Sequence, residues 1–121
     1  MPPSVRLLGT AESIATSGQE LRSGRISSVE LTRTALDRIE AYSTALNAVV
    51  TVTAELALEA ARRADRDLRA GRDRGPLHGI PVGLKDVIDV RGVRTTMGSA
   101  FFQDYVAARD AAVVRRLRRA G

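Results

Sequence analysis

The 121-residue sequence has no cysteine, no tryptophan, one histidine and one lysine. Without cysteine there is no disulfide framework and no thiolate metal site. The single histidine, His78, excludes a multi-histidine metal centre and makes any Ser-His-Asp triad depend on that residue. No cofactor is expected. Aromatics are scarce, two Phe and two Tyr, and none alternates with basic residues, so a stacking platform for single-stranded nucleic acid is lacking. No run reaches the ~18 apolar residues of a membrane span. The apolar run near the N-terminus, Val5 to Leu8, is too short for a signal peptide, and the cytoplasm is the expected compartment.

What is present is arginine. Eighteen arginines stand against the one lysine, and the net charge is +5. Most arginines alternate with acids, as in Arg62-Arg63-Ala64-Asp65-Arg66-Asp67-Leu68-Arg69, the pattern of a solvated helix face with i,i+3 and i,i+4 pairs. Nucleic-acid binding needs basic clustering on one face, and only Arg115, Arg116, Arg118 and Arg119 approach it. The ordinary reading of that run is a solvated face favourably placed at a helix C-terminus.

The lone lysine, Lys85, lies in Gly79-Ile80-Pro81-Val82-Gly83-Leu84-Lys85-Asp86, which holds no other cation. Arginine stays charged, whereas a lysine desolvated in an apolar setting has its pKa lowered and can accept a proton. Most lysines are solvated surface groups. A single amine kept in an apolar run, in a chain that otherwise uses arginine, is a candidate for a buried general base beside that ordinary reading.

The pattern along the chain is helix, strand, helix, strand. A first helix is expected from a Thr10 N-cap to about Leu21, ended by Gly24. Ser27-Ser28-Val29-Glu30 is a capping box. It opens a helix to about Ser43 with Val29, Thr32, Leu36, Ile39 and Tyr42 on one stripe. Residues 48–53 are β-branched and short, a strand signal. Thr53 is the expected cap of a helix from Ala54 to about Ala70, with Leu58, Ala61, Ala64 or Asp65, and Leu68 inward and Gly71 closing it. Residues 71–79 read as a turn-rich loop, and 80–84 and 87–90 as two more short apolar runs. Asp110 is the expected cap of a last helix to about Ala120, with Val113, Val114 and Leu117 inward. The alternation, with a core of small aliphatic residues, argues for an α/β sheet protein. Two or three strands are too few for a complete domain, so the chain reads as the N-terminal part of a larger one.

The segment from Gly75-Pro76-Leu77-His78-Gly79 through Lys85-Asp86 continues into Asp89, Gly92, Thr95-Thr96-Met97-Gly98-Ser99 and Asp110-Ala111-Ala112-Val113-Val114. With the Ser27 helix, Arg38-Ile39, Leu46-Asn47-Ala48-Val49-Val50, and Ala60-Ala61 with Asp65, this order and spacing resembles the N-terminal region of the amidase signature family. The resemblance implies an incomplete amidase domain over residues 1–121. Residues 1–47 would be N-terminal helices, and residues 48–121 the start of the α/β core of an α/β/α sandwich around a mixed sheet. It implies hydrolysis of a carboxamide by a Ser-cisSer-Lys triad, with Lys85 matching the lysine. The family's two serines lie in a Gly/Ser-rich stretch that this sequence does not contain. None of Ser4, Ser13, Ser17, Ser23, Ser27, Ser28, Ser43 and Ser99 is assigned to them, and the chain alone is expected to be inactive.

Two further readings stand beside this one: the glutaminase-like A subunit of a tRNA-dependent amidotransferase, and a non-catalytic remnant of a split or truncated gene. Val87 follows Asp86 where the amidotransferase pattern would have Asn, which favours a general amidase. The expected partner is a small-molecule carboxamide, with no direct nucleic-acid contact and no membrane. A homodimer or the other chains of an amidotransferase are the candidate protein partners.

Around Lys85 the sequence offers several alternatives. His78 is either a base or, more in keeping with its Gly-Pro turn, a structural residue. Asp86 either orients the amine or satisfies nearby backbone N–H groups, the commoner use. Thr95, Thr96 and Ser99 either surround the site or serve turn chemistry. Phe101, Phe102 and Tyr105 line a tunnel or, more simply, pack on one another.

Overall fold

A computed structural model describes residues 13–121, so the Thr10 cap lies outside the described residues. Among the described residues are four α-helices, α1 (Ile14–Ser23), α2 (Ser28–Leu46), α3 (Ala54–Arg69) and α4 (Ala112–Arg119), with a 3-10 turn at Ala100–Phe102. Each of the first three begins and ends close to where the sequence signals place it.

In α1 the Ser13 hydroxyl accepts the Thr16 N–H, and Gly24, at φ 71°, turns the chain out of the helix in the left-handed region. The capping box of α2 forms as expected. Ser27 Oγ accepts the Glu30 N–H at 3.1 Å, and Glu30 Oε2 accepts the Ser27 N–H at 2.8 Å. The helix runs three residues past Ser43 and ends at Asn47, at φ 45°. The expected stripe of α2 is its shielded side, with Thr32 buried and Val29, Leu36, Ile39 and Tyr42 half-buried.

Helix α3 packs against α2. Asp65, in the C-terminal half of α3, takes the Ser28 N–H at 2.7 Å and the Val29 N–H at 3.2 Å. The two helices are joined through residues 47–53, so this contact makes them antiparallel. Ala61 and Ala64 are buried and Leu58 and Leu68 half-buried, as the periodicity requires. Thr53, by contrast, makes no side-chain capping bond. Its φ of −104° and ψ of 53° fall outside the extended geometry that usual N-caps adopt.

No strand occurs among the described residues. Residues 48–53, 80–84 and 87–90 are not in strands, and the one β-bridge is antiparallel, between Arg94 and Val106. A strand is defined by a ladder with a neighbour, and β-branched composition supplies only the preference. These runs meet no such neighbour, and Val50, Val52, Val82 and Val87 are exposed. The sandwich around a mixed sheet is therefore not what the described residues form.

The last helix also departs from expectation. Its N-cap is Ala111, without a side-chain capping bond. Asp110 is used elsewhere. Its carboxylate accepts the Arg91 N–H at 2.8 Å and pairs with Arg118 at 2.9 Å. Val114 is buried and Leu117 half-buried, but Val113 is 45% exposed. Among the described residues the buried apolar ones are Leu21, Ala61, Ala64, Ala107 and Val114, mostly small side chains.

Candidate functional site

The segment that links α3 to the Lys85 motif is held by charge. Asp67 is buried near the C-terminus of α3, where the helix dipole disfavours an anion. Two arginines from the following loop offset this: Arg72 at 2.7 Å and Arg74 at 3.1 Å. The Arg72 bond leads in holding the Asp67 carboxyl below its ordinary range. Asp73 points the other way and forms a two-pronged pair with Arg22 of α1, Nε at 2.7 Å and Nη2 at 2.9 Å. With the Gly75 N–H also donated to it, the Asp73 carboxyl is lowered to about 2. Arg22 in addition donates to the Gly75 and Gly18 carbonyls, so α1 is stapled to this loop.

His78 lies beneath these pairs and is 1% exposed. Its Nδ1 accepts the Arg74 N–H at 3.0 Å, which requires the neutral ring with the proton on Nε2. Burial, then the Arg74 charge, push its pKa down, against the pull of Asp73 and Asp67. The structural reading of His78 is thus the one the structure bears out. Gly79 follows at φ 82°, and its N–H donates to the Gly121 carbonyl at 2.9 Å. A Cβ there would come 3.3 Å from Leu21 Cδ1 and 3.4 Å from Ser28. Only glycine combines that conformation with that approach.

Beyond Gly79 the chain leaves the packed part of the molecule. Lys85 is exposed, and so are Val82, Gly83 and Leu84. A buried amine was the expectation, and the described residues do not provide it. The run is covered only at Gly79 and partly at Ile80, and residues 81–84 are exposed, so apolar neighbours in sequence do not become a desolvated pocket in space.

What is ordered is the backbone around Lys85. Its carbonyl accepts the Ile88 N–H at 3.0 Å, closing a turn. Asp86 turns to the 95–98 loop. Its Oδ1 accepts the Thr96 N–H at 2.9 Å, its Oδ2 accepts the Thr96 hydroxyl, and its carbonyl accepts the Met97 N–H at 2.8 Å. Thr96 Oγ1 accepts the Gly98 N–H at 3.2 Å. The bonds from Thr96 hold the Asp86 carboxyl below its ordinary range. Among the described residues no ion pair joins Asp86 to Lys85. Asp86 thus satisfies backbone N–H groups, as its commoner use predicts. Thr95 and Thr96 are buried within this loop.

Next to it, Tyr105 donates its hydroxyl to Asp89 at 3.3 Å, and the Phe101, Phe102 and Tyr105 rings pack edge to face. That is the local packing cluster the sequence suggested. On α4, Arg115 donates to the Asp110 carbonyl at 2.6 Å and Arg118 pairs with the Asp110 carboxylate, so half of the arginine run has intramolecular partners. Among the described residues no group of three or more His, Asp or Glu is placed to hold a metal ion, and no helix is long and apolar enough to cross a membrane.

The amidase family model matches residues 30–121. The chain belongs to the amidase family. Among curated relatives, the A subunit of the glutamyl-tRNA(Gln) amidotransferase of Geobacter sp. (strain M21) is 46% identical over 103 residues, covering 85% of this chain and 21% of that protein. Its namesake from Aromatoleum aromaticum is 52% identical over 97 residues, covering 80% of this chain and 20% of its own length. This amidase chain therefore spans about a fifth of the length of those relatives. Among solved structures, the native peptide amidase from Stenotrophomonas maltophilia superposes with a TM-score of 0.86 at 38% identity, over 93% of this chain and 23% of that one. The described part of the amidase chain thus has the backbone course of an amidase signature enzyme.

Asp67, Asp73, Arg22, Arg72 and Arg74 did not stand out from the pattern of the sequence. The available signal was Asp67 at the end of a helix that an anion does not favour, with Arg72 and Arg74 five and seven residues on.

Proposed function

We propose that this chain supplies the general base of an amide hydrolase, and that the base is Lys85. The observation that carries this reading is the match of residues 30–121 to the amidase family, together with the ordered turn that presents Lys85 at its surface. A serine hydroxyl is a poor nucleophile until a base draws off its proton. A neutral lysine fills the role that histidine has in the commoner triads. In this reading the two serines come from the part of the relatives' length that the chain does not span. The nucleophilic serine adds to the amide carbonyl as its proton passes through the second serine to the Lys85 amine. The C–N bond then breaks, and the proton goes to the leaving amine. Water frees the acyl group by the same route. By itself the chain holds the base without its nucleophile, and turnover by the isolated 121 residues is not expected.

The test is Lys85→Arg in the complete gene product that carries these residues. The charge is kept and the proton acceptor is lost, so turnover of a carboxamide should be abolished. Retained turnover would refute the assignment.

A second reading is the glutaminase component of an amidotransferase, favoured by the 42–52% identity to proteins of that kind. It places the same Lys85 chemistry within a complex, acting on the side-chain amide of glutamine. Hydrolysis of simple carboxamides without any partner supports the first reading. Glutamine turnover that needs the other amidotransferase chains supports the second.

A further inference from the structure

Resting on the Lys85 reading above, we propose that Asp86 and Thr96 form a clamp that positions Lys85, so that Thr96 is a positioning residue for the proton transfer. A lysine reaches its target through a flexible four-carbon stem. Fixing the Cα from which the stem starts restricts where the amine goes. Lys85 is exposed in this chain, so among the described residues its side chain is not fixed by packing. Its backbone, however, is held from both sides. On one side the Lys85 carbonyl accepts the Ile88 N–H at 3.0 Å. On the other, the next residue makes three bonds to two consecutive residues, Thr96 and Met97.

The far side of the clamp is itself anchored. The Thr95 N–H donates to the Tyr105 carbonyl at 3.0 Å, and Thr95 is 2% exposed. Met97 sits at φ 55°, a left-handed conformation that a non-glycine residue keeps only when its surroundings enforce it. The bonds to Asp86 are that enforcement.

The clamp also settles where the Asp86 charge goes. Both carboxylate oxygens are engaged by Thr96, the N–H on one and the hydroxyl on the other. A carboxylate one residue from the amine, if free, would attract the ammonium and draw it away from its target. Directing it to Thr96 leaves the amine unpaired among the described residues.

The experiment compares Thr96→Val, Thr96→Ser and Lys85→Arg in the complete gene product. Thr96→Val keeps shape and removes the hydroxyl. It should lower kcat by about tenfold or more, the scale of a small misplacement of a catalytic group, with KM within about twofold because substrate binding is untouched. Thr96→Ser restores the hydroxyl and should rescue kcat. If Lys85→Arg is dead while Thr96→Val keeps the wild-type kcat, the clamp is overturned and the base assignment survives. If Lys85→Arg still turns over, the base assignment fails, and the clamp's catalytic role fails with it.

A second measurement needs no turnover and also covers a Thr96→Val protein that is inactive for other reasons. Because Lys85 is the only lysine, carbon-13 labelling of lysine in the 121-residue chain gives one ε-methylene signal. It should move or broaden in Thr96→Val, and in Asp86→Asn should Thr96→Val not fold, and return in Thr96→Ser, with the amide signals of α2 and α3 unchanged. A Lys85 signal identical in all these proteins overturns the proposal.

Discussion

The Asp65 carboxylate accepts the Ser28 N–H at 2.7 Å, so a residue of one helix caps the start of another. Two devices therefore serve the N-terminus of α2. The local capping box occupies the N–H groups of Ser27 and Glu30, and Asp65 takes those of Ser28 and Val29. All four N–H groups at this end have partners. The Ser28 hydroxyl in turn donates to the Gly79 carbonyl at 2.7 Å, which ties the α2–α3 pair to the base of the Lys85 motif.

Removing Asp65 should release that end of α2. Asp65→Ala is expected to lower the unfolding free energy by about 1–2 kcal/mol, the range for losing a helix cap. Asp65→Asn keeps an acceptor for one of the two N–H groups and should cost less. Urea unfolding of the two variants beside the parent measures both. Equal midpoints for parent and Asp65→Ala would show that the interhelical cap contributes nothing.

Gly79 and Gly71 offer a comparison of two glycines in similar conformations. Gly79 has φ 82° and close neighbours, whereas Gly71 has φ 75° and open space where a Cβ would go. Gly71→Ala should cost about 1 kcal/mol from the left-handed conformation alone. Gly79→Ala should cost more, because Leu21 and Ser28 must also move. Thermal melts rank the two, and the reverse order would contradict the packing argument.

Acid should weaken the fold in two stages. His78 is neutral in the fold and its pKa is depressed below 6.5. Its contribution is complete above 6.5 and is lost as pH falls from there through the lower folded value, because the unfolded chain takes up the proton first. Asp73 acts in a second window. Its contribution is present above 3.8 and is lost as pH falls towards about 2, where the carboxyl paired with Arg22 is finally protonated. His78→Asn keeps an acceptor for the Arg74 N–H but does not titrate, so the first stage should vanish from a plot of melting temperature against pH. Arg22→Lys cannot form the two-pronged pair and should shift the second stage to higher pH. A plot unchanged by either substitution would remove the basis for its stage.

The exposure of Lys85 can be read chemically. An amine-acylating ester should modify the 121-residue chain at Lys85 at the rate of a free surface lysine, in addition to its α-amino group. Mass mapping of the modified peptide locates the label. Strong protection of Lys85 would contradict its placement at the surface.

Local signals were the legible ones. The cap of α1 is Ser13, which the sequence reading did not single out, but Gly24, the Ser27–Glu30 box and the Ala61–Ala64 stripe fell where the pattern put them. Each rests on residues three or four apart, which a helix brings together whatever the rest of the chain does. Asp110 misled because an acid before a helix is a common cap, and here Arg91 and Arg118 compete for it successfully. The strands at 48–53, 80–84 and 87–90 misled because β-branched composition is a preference, while a strand requires a partner.

The candidate site divides in the same way. The order and spacing of the motif positions from Ser27 to Val114 pointed to the amidase family, and the match over residues 30–121 bears that out. The linear sequence determined the capping box of α2, the apolar stripes of α2 and α3 and the identity of the single amine. Tertiary structure alone decided that Asp86 engages Thr96 ten residues away, that Arg22 holds Asp73 from fifty-one residues away, and that Lys85 stands exposed. The reason is physical: helix signals act between near neighbours on the chain, whereas burial and ion pairing depend on which distant segments the fold brings into contact.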